Sequence, residues 1–310
     1  MIGLLGLVLG AGLLVVGAEM FAENVTAAAR RVGLTAIALG VLLAGAEPEE
    51  ALTAGIASGR GHPQLAVGDA IGANFVILTL VLGLAAVLAV LPVSRRVTEY
   101  AVAASVAGLI VLAVLLDGQV GRVEGAVLVL LYAVAVAWVW RRERRPPAVG
   151  EAAENEEEDE DDAPSRVAVL LVLGGLVLMA GGGWLAVTGA EQVVTALSLD
   201  DTGVGLTLLA LATSAEMLAL VLSAARHRVA EVALAGIVGA VAYNATVSVG
   251  VGALVAPLHG VGNTRFLAVA AMCAVLPLAL LGFGRSRAVA RVGGVVLVVA
   301  YLVAVPVLLS

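Results

Sequence analysis

Apolar stretches of roughly 20 residues recur along the whole chain, separated by short polar turns, and each is long enough to cross a hydrocarbon core of about 30 Å. Ten spans follow from this pattern, near 1–28, 33–58, 65–92, 98–116, 122–140, 167–189, 203–225, 230–256, 265–283 and 288–308. Between the fifth and sixth lies the one long hydrophilic stretch. It holds Arg141, Arg142, Arg144 and Arg145, then Pro146-Pro147, then nine acids between Glu151 and Asp162. A like-charge block of this kind buries too little apolar surface to fold. The expected division is a first five-span repeat (1–140), an acidic linker (141–166) and a second five-span repeat (167–310). The opening run, Met1 to Ala18, lacks a basic start and continues into Glu19, so it reads as a mature span rather than a cleaved signal.

The two halves echo each other. Glu49 matches Glu216, Gly72 matches Gly239 and Ala73 matches Ala240, each 167 positions on. Gly17-Ala18-Glu19 recurs as Gly189-Ala190-Glu191, and Gly33-Leu34-Thr35 as Gly205-Leu206-Thr207, at an offset of 172. An odd number of spans per half makes the second half enter the membrane upside down. The expected architecture is an all-α membrane protein of ten transmembrane helices in two inverted five-helix repeats, a plan used by secondary transporters.

Composition agrees: 61% of residues are hydrophobic and 13% charged, against about 25% charged in soluble domains. All 17 basic residues are arginine. If the first loop is cytoplasmic, 14 of them fall on that side and only Arg60, Arg122 and Arg265 outside. This is a positive-inside asymmetry. It predicts a multi-pass protein of the plasma membrane with both termini outside and the linker in the cytoplasm. Removing the nine linker acids would change the net charge from −7 to +2, so the acidity belongs to the linker. Cys273 is the single cysteine and forms no internal disulfide. His62, His227 and His259 occupy separate loops and are expected to be interfacial. No serine, cysteine or metal-hydrolase constellation is visible, so an enzyme is not expected. Nor is a cofactor or a nucleic-acid partner; the lipid bilayer and inorganic cations are the expected partners.

The candidate chemistry lies where acids interrupt apolar spans. A carboxylate inside a bilayer costs several kcal/mol and marks a functional site by default. In the second span Glu47, Glu49 and Glu50 flank Pro48, which cannot donate to the carbonyl of Ala44, so a kink is expected just before Glu49. In the seventh, Thr213 and Ser214 precede Glu216 and bring hydroxyls that bind a cation or the backbone. Asp69 and Asn74 in the third span, and Asn244 in the eighth, supply further oxygens of the kind hard cations take. Glu47 and Glu50 share a helical face, with Glu49 turned about 100° away. If Glu47, Glu49, Glu50 and Glu216 all face one dry cavity, like charges leave some of them protonated or salt-paired, and not all can be ligands. Symmetry favours Glu49 and Glu216 as ligands, with Glu50 the rival to Glu49. Gly68, Gly72, Gly236 and Gly239 read as close-packing positions. Glu19, Glu23 and Glu191 form a second acidic set, with Glu191 toward the opposite face from Glu23.

Pro48-Glu49, Gly68-Asp69-Ala70-Ile71-Gly72-Ala73-Asn74 and Ala212-Thr213-Ser214 resemble the two α-repeats of the calcium/cation antiporter superfamily, the sodium/calcium exchanger group. Those repeats read Gly-Thr-Ser-x-Pro-Glu and Gly-Asn-x-x-Gly-Ser-Asn. The Gly-Ala-Glu segments and the acidic linker also resemble that family, and the likeness covers essentially the whole chain. It implies alternating access, with the first and sixth spans sliding past a bundle that holds a midplane cation site. It implies calcium exchanged for sodium or protons as transported substrates. The departures are specific. The first Thr-Ser is replaced, the second proline is missing, and Met217 stands where spacing places the family glutamate. Spacing back from Gly72 favours Glu50. Ala73 and Ala240 replace serines and Ile77 a polar residue, whereas Asn244 keeps its counterpart. Two other readings follow from these losses: proton-coupled antiport of another cation, and a non-transporting sensor or scaffold that kept the fold.

Overall fold

The computed structural model describes residues 1–32, 47–88, 95–143, 166–219, 230–279 and 287–310. The Gly33-Leu34-Thr35 copy, Ala44 and its carbonyl, linker residues 144–165 and His227 lie outside the described residues. Ten helical elements follow the expected spans in order. They are α1 (Ile2–Val32), α2 (Pro48–Gly59), α3 (Pro63–Leu88), α4 (Arg95–Leu115), α5 (Arg122–Glu143), α6 (Arg166–Leu197), α7 (Asp201–Thr213), α8 (230–255), α9 (Thr264–Ala279) and α10 (Arg287–Leu309). Helix α6 runs eight residues past its expected end. It stops at Ser198, whose φ of 54° places it in the left-handed region that terminates helices. Helices α7 and α9 start from side-chain caps: Asp200 accepts from the Gly203 N–H and Asn263 from the Phe266 N–H.

The repeat is visible in the backbone. Helix α3 consists of a 14-residue α segment (Pro63–Val76), a five-residue π turn (Ile77–Val81) and a seven-residue α segment (Leu82–Leu88). Helix α8 repeats the same three lengths at Ala230–Tyr243, Asn244–Ser248 and Val249–Val255, each 167 positions later. The cause is shared too. Thr79 and Thr246 donate their hydroxyls to the carbonyls of Phe75 and Ala242, four residues back. Such bonds perturb the helical ladder, and π turns favour functional positions.

Helices α1 and α6 pack antiparallel through glycine. A Cβ placed on Gly10 would lie 2.7 Å from the Gly182 carbonyl oxygen, and Gly3 and Gly17 meet Gly189 and Gly175 as closely. Gly3, Gly10 and Gly17 are themselves the repeat mates, at offset 172, of Gly175, Gly182 and Gly189. In hydrocarbon, where apolar side chains gain nothing by leaving lipid, such close backbone contact is what associates helices. Helices α3 and α8 are buried through most of their length, whereas α1, α4, α6 and α10 expose most of theirs. The bundle is therefore a core around α3 and α8, edged by helices with lipid-facing surfaces.

One face gathers Arg60, Arg122 and Arg265 with both chain ends. Arg265 donates to the Leu308 carbonyl near the C-terminus, Arg122 to Val255, and α1 begins beside Gly189 near the end of α6. On this Arg60 face the two-residue strands Gln119–Val120 and Leu258–His259 pair antiparallel.

Candidate functional site

Two helices end in the middle of the bundle. Helix α2 starts at Pro48, with Glu47 before it at φ −106° and ψ 75°. Proline is suited to the first helical position, where its missing N–H would have no partner anyway. The distortion expected at Pro48 is thus a helix start. Twelve residues of α2 span roughly 18 Å, so its first turn lies about half a hydrocarbon core below the Arg60 face. Glu49 and Glu50 occupy that turn, at the positive end of the helix dipole. Helix α7, 13 residues long and starting from the same face, breaks at the same depth. It ends at Thr213, Ser214 leaves helical geometry at ψ 8°, and residues 215–219 resume the helix.

Glycine brings the parts together. A Cβ on Gly72 would lie 2.7 Å from the Leu206 carbonyl oxygen and from Ala210 Cβ, so α3 and α7 touch backbone to backbone. That contact places Asp69, one turn before Gly72, against Thr213, whose hydroxyl donates to Asp69 Oδ1 at 3.0 Å. Glu50, in the first turn of α2, is buried beside the same pair. The Thr213 proton is engaged elsewhere, and neither Glu50 oxygen meets a protein donor. Nearby, Asn244 donates to Glu47 Oε2 at 2.6 Å and accepts from Ser248 at 3.3 Å. Asn74 donates to the Val241 carbonyl at 3.0 Å.

These residues are all buried, Asp69 and Asn244 completely and Glu50 to 1% exposure. Besides the two Glu50 oxygens, Asp69 Oδ2, Asn74 Oδ1 and Ser214 Oγ are buried and meet no hydrogen-bond partner. Buried polar atoms are paired as a rule. Thr53, Ser105 and Tyr132 each leave one oxygen unpaired as well, but among the described residues only here do five such oxygens gather around buried acids, which makes this the candidate cation site.

The structure thus brings Glu47, Glu50, Asp69, Thr213 and Asn244 together, with Asn74 and Ser214 adjoining. Glu49 is buried in the same turn and is the main charged neighbour of Tyr243. Glu216 is half-buried beyond the break in α7. Among the described residues no three acid, histidine or cysteine groups close around one point as a metal cage. A cation held here would therefore draw on amide and hydroxyl oxygens as well as carboxylates. Three participants escaped the sequence reading. Ser248, four residues after Asn244 on the same helical face, carried the signal of a polar residue in an apolar span. Tyr243 and Tyr132, which pack edge to face at 5.4 Å beside the acids, look like ordinary aromatic packing in sequence.

Inverted repeats that enclose broken helices with acids at the breaks define a secondary cation transporter. Known proteins agree. The sequence profile of the sodium/calcium exchanger protein family matches residues 2–141 and 167–309, and the chain belongs to that family. The family is one of membrane antiporters, so this is a multi-pass membrane protein and not an enzyme. The chain is 28% identical to Putative antiporter CaxA of Alkalimonas amylolytica, over 97% of this chain and 95% of that one. It is 26% identical to membrane protein MJ0091 of Methanocaldococcus jannaschii, over 98% and 95%. In fold it resembles the sodium-calcium exchanger NCX_Mj, soaked with 10 mM Na+ and 10 mM Sr2+. The TM-score is 0.65 at 23% identity, with 98% of each chain covered. The fold is accordingly ten transmembrane helices in two inverted five-helix repeats.

Proposed function

We infer that the protein exchanges calcium for sodium or protons by alternating access, in the plasma membrane, with Glu50, Asp69, Glu47 and the adjoining Asn74, Thr213, Ser214 and Asn244 forming the cation path. The observation that carries this reading is the set of five buried oxygens without donors where the breaks of α2 and α7 face α3. Calcium takes six to eight oxygens in flexible geometry, and a mixture of carboxylate, amide and hydroxyl groups suits it. Glu49 and Glu216, repeat mates at the edge of the chamber, complete the acidic lining. With no cation bound, the charged chamber is costly to carry through a closed intermediate, which favours exchange over leak. The three arginines of the Arg60 face, against 14 elsewhere, support placing that face outside.

Antiport of another cation driven by protons is a second reading. It is favoured by Glu50 and Asp69, two buried carboxyl groups in one cluster, because like charges held close together in a dry site favour proton uptake. The test is cation flux into proteoliposomes with calcium, manganese and sodium under imposed sodium or pH gradients. Glu50→Gln should slow exchange by about 100-fold. If no cation moves in the wild type, and neither Glu50→Gln nor Glu49→Gln with Glu216→Gln changes any flux, the reading fails. A flux driven by the pH gradient alone selects the second.

A further inference from the structure

A second cluster of charged side chains lies on the Arg60 face, where α2, α3, α6 and α7 end. Arg60, Gly61 and His62 form the turn from α2 to α3, kept tight by the φ of +82° at Gly61, a conformation natural to glycine. The Arg60 guanidinium donates from Nη1 to Thr188 Oγ1 at 2.8 Å and from Nη2 to Glu191 Oε2 at 2.7 Å. Its Cζ lies 5.6 Å from the centre of the Trp184 ring, within cation–π range. Trp184, Thr188 and Glu191 fall at i, i+4 and i+7 and form one stripe on α6. His62 faces two carboxylates, with Nδ1 2.8 Å from Asp201 Oδ2 and Nε2 3.4 Å from Glu191 Oε1.

The two carboxylates belong to different helices. Asp201 opens α7, and its neighbour Asp200 is tied by Arg265 Nη2 at 2.7 Å, while Arg265 Nη1 donates to the Leu308 carbonyl of α10. Partial burial pushes the Asp200 carboxyl up, but the Gly203 N–H and Arg265 outweigh it and hold it below the ordinary carboxylate value. The end of α2 is fixed as well, since the Ser58 hydroxyl donates to the Gly252 carbonyl of α8 at 2.7 Å. Glu191, in contrast, rides on α6, which with α1 forms a glycine-packed pair at the edge of the bundle.

We propose that the Arg60–His62 turn is a latch that holds the α1–α6 pair in this register against α2 and α7. Because α2 carries Glu49 and Glu50 in its first turn and Arg60 at its other end, a single rigid helix joins the cation chamber to the latch. A displacement of α6 along its axis would part the Trp184–Thr188–Glu191 stripe from Arg60. The pair is partly exposed, Arg60 to 31% and Glu191 to 21%. A contact of that kind biases an equilibrium between two registers without freezing it. The proposal rests on the transport reading above, because a latch of this kind has a role only where the pair moves.

The test uses the full chain in proteoliposomes, with calcium as the probe, and compares the half-saturating concentrations at the two faces. Glu191→Gln and Arg60→Met should each shift the ratio about fivefold in the same direction, with the maximal exchange rate little changed. The charge-exchanged double variant, Arg60→Glu with Glu191→Arg, should bring the ratio back toward the wild type, which a merely structural role would not do. An unchanged ratio in both single variants, or a double variant no nearer the wild type than either, overturns the proposal. Should Arg60→Met not assemble, the near-isosteric Glu191→Gln gives the same reading. If the wild type exchanges no cation, the transport reading falls by itself. Amide hydrogen exchange over residues 184–195 then judges the latch: exchange about fivefold faster in Glu191→Gln is expected, and equal rates overturn it.

Discussion

The Asp69–Thr213 and Glu47–Asn244 contacts each have a repeat mate, and those mates are apolar or unpaired. The Asp69–Thr213 hydrogen bond maps, 167 positions away, onto Gly236 and Ala46. The Glu47–Asn244 bond maps onto Ser214 and Ile77, so the symmetric counterpart facing Ser214, whose hydroxyl has no partner, is a hydrocarbon side chain. Glu50 maps onto Met217, and the Asn74 bond to Val241 joins two mates directly, so it sits on the pseudo-twofold axis. Carboxylates therefore concentrate on the side of α2, and only Glu49 and Glu216 remain paired by symmetry. Glu47 depends most heavily on one partner. In Asn244→Leu it would be left buried without its 2.6 Å donor, a loss of about 1–3 kcal/mol. A lower melting temperature together with weakened calcium-dependent exchange is the expected outcome; an unchanged thermal profile would show that Glu47 has another partner.

At the level of the helix, pairing is set by where side chains are absent. Gly10→Leu would drive a side chain into the Gly182 carbonyl and the Ala186 backbone, 2.7 Å from the added Cβ. The expected cost is about 1–3 kcal/mol, read as a melting temperature several degrees lower and as lost flux. Gly12→Leu is the control, because nothing lies within 4 Å of its added Cβ. The ten spans and their inversion were legible in the sequence, because span length and repeat offset are local properties of the string. The offset of 167 reappears residue for residue in the π turns of α3 and α8. The partners were not legible. Asp69 and Thr213 are 144 positions apart and Glu47 and Asn244 are 197 apart, and only the backbone contact at Gly72 decides which acid meets which hydroxyl. Symmetry alone put Glu49 ahead of Glu50. The structure sets Glu50 beside Asp69 and Thr213 because Pro48 starts the helix and so fixes the direction of its first turn. His62 shows the same limit, since as an isolated loop histidine it gave no sign of the two carboxylates it joins.

For the whole molecule, charge and transport are separable. The net charge of −7 resides in linker residues that connect the end of α5 to the start of α6. The buried polar cluster lies instead on α2, α3, α7 and α8. Replacing the nine linker acids with serine and glycine, at constant length, should change the net charge to +2 and strongly alter ion-exchange elution. Calcium flux should stay within about twofold of the wild type, as expected of a tether. A large change in flux would give the linker a part in gating.

The glycine contacts between α1 and α6 have one more consequence. Gly3 meets Gly189 and Gly17 meets Gly175, while Gly10 meets its own mate Gly182. The stripe is therefore complementary to itself when turned end over end. A half-length polypeptide carrying it, inserted in the bilayer in both orientations, would recognise its own antiparallel copy through the same seam. The present chain has the form of such a dimer made covalent, with its two halves different in sequence. The acids of α2 and the hydroxyls of α7 record that divergence.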